Sequence, residues 1–322
     1  MRFIIVGAGA LGSILAAQLK RAGNDVNIIA RGNRASILQN DGITLRGLVD
    51  FRQSCPVITA PSTLLSTDVL ILTVKTYHQS EALEQVKHIR AKSVFSVANG
   101  VQKTEQIESV FGTQHSLGCM ADLSGELLQS GDVLFTRNVN LQIGALSPQF
   151  AEHAASVAMV IDAAGVNCRA VANIRSIEWS KFVPWLAFLS LSVITRLKSH
   201  QFLMDADAAT VMYRITKEMH QLASHLHIEL IDQSPAPALS IANASASEAI
   251  EIIRELALAL RDKAPDHRMS ALQDLENRRP LEVEETIGDA LMKAREANIK
   301  MPTIELCYHL LSVINRNISS DN

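Results

Sequence analysis

A glycine-spaced turn near the start of the chain, Gly7-Ala8-Gly9-Ala10-Leu11-Gly12, constrains this sequence more than any other feature. It follows the run Arg2-Phe3-Ile4-Ile5-Val6, which reads as a buried strand. It opens onto Leu11 to Lys20, where apolar residues recur at helical spacing until Gly23 offers a stop. A glycine triplet of this spacing between a strand and a helix has a physical purpose. The first glycine permits the tight turn, the second lets backbone amides approach a pyrophosphate, and the third allows close strand–helix packing. The helix N-terminus adds amides and a partial positive charge. The spacing alone is a weak signal. With both flanking elements in place, residues 7–12 are expected to hold a dinucleotide.

The end of the next strand selects the dinucleotide. A site for NAD usually carries Asp or Glu there, about 20 residues on, to accept from the ribose hydroxyls. This chain reads Ile28-Ile29-Ala30-Arg31-Gly32-Asn33-Arg34. A carboxylate would repel a 2′-phosphate, whereas an arginine can hold one bidentately. Arg31, with Arg34 or Asn33 in support, therefore predicts NADP(H); the competing reading is an ordinary solvated loop arginine.

Further β-rich runs at Val26–Ala30, Val69–Val74 and Val94–Val97, with a helical segment over Ser80–Ile89, predict a doubly wound α/β domain with a parallel sheet. Between residues 116 and 144 the texture suggests hairpin additions, followed by a helix near 148–164 and a strand near 166–171. From Ile174 onward the pattern is almost wholly helical, with helices expected over 177–197, 208–226, 249–261, 281–297 and 303–314. The expected division is a nucleotide-binding domain over 1–172 and an all-helical domain over 173–322. The 322 residues are 48% hydrophobic, which excludes a disordered chain, and 30 Lys plus Arg against 33 Asp plus Glu gives no basic excess for nucleic acid. The N-terminal apolar run meets glycine too early for a signal peptide. The apolar stretch Phe182–Leu197 is interrupted by Pro184 and is shorter than the roughly 20 residues of a membrane span. Cys55, Cys119, Cys168 and Cys307 lie far apart and read as reduced core thiols. These features together point to a cytoplasmic protein.

The same residues, with Leu72-Thr73-Val74-Lys75 and Val97-Ala98-Asn99-Gly100-Val101, resemble the ketopantoate reductase (2-dehydropantoate 2-reductase) family. The likeness continues through Glu178-Trp179-Ser180-Lys181-Phe182. It ends in Ser270-Ala271-Leu272-Gln273-Asp274 and Arg279-Pro280-Leu281-Glu282-Val283-Glu284. The resemblance implies a Rossmann-type domain, a helical C-terminal domain, and NADPH-dependent reduction of 2-dehydropantoate to pantoate on the route to pantothenate and coenzyme A. Five departures fall on the substrate side: Trp185, Leu189, His267 and Ile304 stand where the family often has asparagine, and Leu281 where it has threonine. They leave open a reductase of a different, more apolar 2-oxo acid. A non-catalytic NADPH-sensing protein is the alternative of another class.

On that resemblance Lys181 is the general acid, since hydride delivery to a ketone makes negative charge on oxygen that a donor must meet. A snorkelling helix lysine is the bland alternative. Glu282 accepts from the substrate hydroxyl or steadies Lys181, unless it only complements a helix dipole. Asn99, past a strand's C-terminal end where open α/β sheets bind ligands, serves substrate or cofactor ribose. Lys75 is a cofactor or carboxylate contact. Ser270 is a donor to the substrate carboxylate, or else a helix N-cap. His220, His225 and His227 lack metal-ligand spacing and Cys119 lacks a catalytic partner, so neither a metal site nor thiol chemistry is expected. The expected partner is a small 2-oxo acid, with neither nucleic acid nor membrane, and a homodimer is compatible with the sequence.

Overall fold

The apolar run at the N-terminus becomes β1 (Arg2–Val6), the middle strand of a five-stranded parallel sheet. Alternate residues of β1 feed two different cores. Phe3 and Ile5 join Val26, Ile28, Val69, Ile71 and Phe95 on one face. Ile4 and Val6 join Ile29, Leu70, Leu72 and Val94 on the other. A strand covered on both faces reads as a continuous hydrophobic run, and this is why β1 was legible without alternation.

The computed structural model describes residues 1–320, in two compact units, Met1–Ile174 and the described residues from Arg175 onward. In the first unit, α1 (Ala10–Arg21) leads to β2 (Asp25–Ile29), α2 (Gly32–Asp41), β3 (Ile43–Gly47), β4 (Phe51–Gln53) and β5 (Val57–Ile58). Then come β6 (Ser66–Leu72), α3 (Gln79–Val86), β7 (Arg90–Ser96) and α4 (Gln102–Phe111). The parallel sheet has the order β5-β2-β1-β6-β7. Register places Val6 beside Ile29 on one side and Leu72 on the other. The C-terminal ends of β1, β2 and β6 thus lie together, the edge at which open α/β sheets take ligands.

The expected hairpin is β8 (Leu117–Leu127) with β9 (Val133–Ala145), bulged at Asp122/Leu123 and Ser124/Gly125. Arg137 clasps Asp122 across it with two hydrogen bonds, 2.5 and 2.9 Å. The far edge of β9 pairs in parallel with β3 and with β10 (Cys168–Ala170). A lone parallel bridge, Val94 to Ser116, continues β7 toward this second sheet. Helix α5 (Ala151–Ala163) buries Ala154, Val157 and Ile161 in the same core as Leu141 and Ile143. The first unit is a Rossmann-type fold.

The second unit is helical: α6 (Ile174–Thr195), α7 (Ser199–Met204), α8 (Ala206–His225), α9 (Ala238–Asn243), α10 (Ala246–Lys263), α11 (Ser270–Glu276), α12 (Asp289–Glu296) and α13 (Pro302–Ser320). Helix starts are chemically explicit. Asp205 accepts from the Asp207 and Ala208 amides at α8. Ser245 and Glu248 form a capping box at α10. The Glu218 carboxylate accepts from Thr303 and Ile304 at α13, 2.9 and 3.0 Å. Helix α6 is long and apolar enough to cross a membrane by length and composition, yet 89% of its most apolar window is buried in the protein, the pattern of a core helix.

One helical expectation is corrected. The segment 281–297 is not a single helix: residues 281–283 are irregular, Glu284–Gly288 form a π-helical turn, and only then does α12 begin. The Thr286 hydroxyl donates to the Glu282 carbonyl. The Gly288 amide reaches back five residues to Val283 at 3.0 Å. A side chain has taken the acceptor that an α-helical amide would use.

Candidate functional site

Gly7 turns out of β1 at φ +106°, and its amide donates to the Ile29 carbonyl at 3.1 Å. Its own carbonyl accepts from Thr73 Oγ1 at 2.8 Å, so the loop after β6 holds the glycine turn. A Cβ at Gly12 would come closer than 3.0 Å to the Gly7 carbonyl oxygen and to Thr73 Oγ1, whereas one at Gly9 would meet nothing within 4 Å. The three glycines are thus distinct: Gly7 supplies the turn, Gly12 the close helix–strand approach, and Gly9 the open space a phosphate needs. Ala8 is buried between them, and Ala10 and Leu11 begin α1.

This turn walls a cavity of about 290 Å³ lined also by Ile29, Ala30, Arg31, Arg34, Val74, Ala82 and Gln85. Ligand pockets start near this size. Arg31 stands at the N-cap of α2 on this cavity and donates from Nη1 to Glu81 Oε1 of α3 at 2.7 Å. Gln85 Nε2 donates to the same oxygen at 3.0 Å. The arginine holds the Glu81 carboxyl below its ordinary range. Arg34, anticipated as support for Arg31, does different work. Its Nε, Nη1 and Nη2 donate to the Ala8 carbonyl, the Gly131 carbonyl and Ser13 Oγ at 2.9, 2.7 and 2.9 Å. It staples the glycine turn to α1 and to the β8–β9 hairpin.

Lys75 follows β6 and Asn99 follows β7 on neighbouring parallel strands. Gly100 beside Asn99 has φ +79°. The buried Lys103 donates from Nζ to the Ala98 and Cys119 carbonyls at 2.8 and 2.7 Å, fixing this loop against β8. Glu81, Gln85 and Lys103 were not singled out from sequence. The available signal was the i,i+4 pair Glu81–Gln85 on the helix that follows Lys75.

The helical unit holds the other candidates. Lys181 is half-buried on α6 between Ser180 and Phe182, both buried. Ser180 Oγ accepts from the Ile231 amide at 2.8 Å. Trp185 and Leu189 are buried, and Trp185 stacks on Phe182 with ring centroids 6.3 Å apart. Glu282 is buried just ahead of the π-helical turn, and burial pushes the neighbouring Glu285 carboxyl up. Ser270 is exposed and is the first residue of α11. The N-cap is Met269 with no side-chain capping bond, so Ser270 is not an N-cap. His267 Nδ1 is paired with Ser199 Oγ at 2.8 Å, and Ile304 is buried. Among the described residues no group of three or more His, Cys, Asp or Glu could hold a metal.

The residues at the glycine turn fit a dinucleotide, and the comparisons with known proteins agree. Residues 3–148 match the family described as "Ketopantoate reductase PanE/ApbA", and residues 173–315 match "Ketopantoate reductase PanE/ApbA C terminal". A 2-dehydropantoate 2-reductase of Archaeoglobus fulgidus is 26% identical over 298 residues, 92% of each chain. One of Pyrococcus horikoshii is 24% identical, covering 97% of this chain and 96% of the other. In structure, the chain resembles a PanE/ApbA family ketopantoate reductase from Ralstonia eutropha (TM-score 0.83, 23% identity, 99% and 100% coverage). It also resembles a D-mandelate dehydrogenase with NADH and anilino(oxo)acetate (TM-score 0.86, 18% identity, 99% of both chains). Because the two matches together span most of the chain, one over each structural unit, this chain belongs to the ketopantoate reductase PanE/ApbA family.

Proposed function

We propose that this protein is an NADPH-dependent 2-dehydropantoate 2-reductase, forming pantoate for pantothenate and coenzyme A synthesis in the cytoplasm. Residues 1–172 serve as the NADP domain and 173–322 as the substrate domain. The observation that carries the reading is Arg31, a cation at the end of β2 on the cavity of the glycine turn. NADPH, when bound, supplies the hydride for the carbonyl carbon. Gly7, Ala8, Gly9, Ala10, Leu11 and Gly12 would cradle its pyrophosphate, Arg31 would hold its 2′-phosphate, and Lys75 and Asn99 would contribute further contacts from the adjoining strand ends.

The remaining chemistry belongs to side chains. Lys181 gives its proton to the carbonyl oxygen as negative charge develops there. Its buried neighbours Ser180 and Phe182 lower the local dielectric and so strengthen that interaction. Ser270 donates to the substrate carboxylate, Asn99 orients the oxo group, and the Glu282 carboxylate accepts from the substrate hydroxyl. A homodimer is the proposed assembly; a ketopantoate reductase of Staphylococcus aureus, similar in fold, is described as dimeric.

A second reading rests on Trp185 and Leu189, both buried on α6, which stand where the family often has asparagines whose amides would pair with a hydroxylated substrate. It makes the protein a reductase of a more apolar 2-oxo acid. An unpaired buried hydroxyl costs roughly 1–3 kcal/mol. The deciding measurement is kcat/KM for ketopantoate against its analogue with the hydroxymethyl reduced to methyl. A preference for ketopantoate by tenfold or more supports the first reading, and the reverse preference supports the second. NADPH binding without oxidation on a panel of 2-oxo acids would identify a sensor and overturn both.

A further inference from the structure

Arg31, the one cation assigned here to the 2′-phosphate, is already engaged. Its Nη1 donates to Glu81 Oε1 at 2.7 Å, and Glu81 comes from α3, 50 residues away in sequence. Position in the first turn of α3 explains why a carboxylate is tolerated at 81. It does not explain why that carboxylate reaches the arginine of another βα unit. Gln85, one helical turn on, lines the cavity and steadies the same oxygen at 3.0 Å. On the other side, His78 Nδ1 lies 3.9 Å from Glu81 Oε2.

We propose that Glu81 is a specificity-determining residue: it occupies Arg31 as an internal substitute for the 2′-phosphate and thereby lowers the preference for NADP(H) over NAD(H). This rests on the reading of Arg31 given above. The pair is half-exposed, 57% and 52% for the two side chains, so it is weak enough to be exchanged for a ligand. A 2′-phosphate must share the Arg31 guanidinium with Glu81, or displace the carboxylate from Nη1, and in either case sit near that negative charge. A 2′-hydroxyl imposes neither penalty, because it leaves the ion pair in place and can donate to the carboxylate. Carboxylate recognition of the adenosine ribose, absent at the end of β2, is thus supplied from α3.

The test is a titration of NADP⁺ and NAD⁺ by isothermal calorimetry, with no substrate and no turnover, on the wild type, Glu81→Gln, Arg31→Ala and the double variant. Glu81→Gln keeps the side-chain size and, at an exposed position, the fold; an unchanged thermal midpoint confirms it. NADP⁺ should bind Glu81→Gln about 3- to 10-fold more tightly, the range expected for release of an exposed ion pair and its repulsion. NAD⁺ should not gain, and the gain for NADP⁺ should vanish when Arg31 is alanine. Unchanged or weaker NADP⁺ binding by Glu81→Gln would overturn the proposal, as would an equal gain for NAD⁺. Failure of the underlying reading looks different: Arg31→Ala would then weaken both dinucleotides equally, instead of weakening NADP⁺ alone by about 10- to 100-fold.

Discussion

Gly12 and Gly9 stand three residues apart in one turn, yet alanine at each should fail in a different way. A Cβ at Gly12 would come closer than 3.0 Å to the Gly7 carbonyl oxygen and to Thr73 Oγ1. Neither neighbour can yield cheaply. The carbonyl is backbone at a positive-φ glycine, and the hydroxyl is committed to that carbonyl at 2.8 Å. The first turn of α1 must therefore move away from β1. Overpacking of this kind costs roughly 1–3 kcal/mol, and loss of the Thr73–Gly7 hydrogen bond adds about 1 kcal/mol. At about 2–4 °C per kcal/mol for a unit of this size, the thermal midpoint should fall by about 5–15 °C. Gly9 is the control. Its backbone, φ −72° and ψ −164°, is open to any residue, and a Cβ there meets nothing within 4 Å. Gly9→Ala should melt within about 2 °C of wild type. It should lose NADP⁺ affinity by tenfold or more, because the methyl occupies the approach of the pyrophosphate. Thermal melts without ligand, paired with calorimetric titration, read both effects. A Gly12→Ala protein that melts like wild type would refute the packing argument, and a Gly9→Ala protein that binds like wild type would remove Gly9 from the phosphate cradle.

Two further outcomes are expected. Lys181→Ala should lower kcat by about 10²- to 10⁴-fold while leaving the NADP⁺ dissociation constant nearly unchanged; a variant retaining more than about a tenth of wild-type kcat would assign the proton to another group. His153, half-buried beside Phe150 with Nε2 3.0 Å from Ser93 Oγ, has its pKa pushed down, chiefly by burial and then by the Lys92 charge. The fold therefore favours the neutral ring, so this contribution to stability is intact above the unfolded value near 6.5 and drains away as pH falls below it. Denaturant midpoints taken from pH 7.5 down to 5 should fall more steeply for wild type than for His153→Gln, and parallel curves would exclude this residue as the cause.

Sequence by itself determined the features whose causes are local. The glycine turn, β1 and α1 were legible because their residues are consecutive and each carries its own local pattern. The long helices α8, α10 and α13 were legible because an apolar stripe needs only 3.6-residue spacing, and α6 because a long run that is apolar on every side reads as a buried helix. The bulged β8–β9 hairpin was anticipated in outline from its punctuation. Periodicity could not reach α7, α9 and α11, each of six or seven residues. Nor could it foresee the π-helical turn before α12, which depends on one hydroxyl taking one carbonyl. The candidate site divides in the same way. Residue identity pointed to Arg31, Lys75 and Asn99, since each follows a strand of the parallel sheet. Tertiary structure alone decided what surrounds them. It sent Arg34 to carbonyls at positions 8 and 131, inserted β3 against a strand about ninety residues later, and brought Glu81 of α3 onto Arg31. These contacts join segments whose separation along the chain leaves no local pattern, because they form only after the sheet has set which strand ends are neighbours.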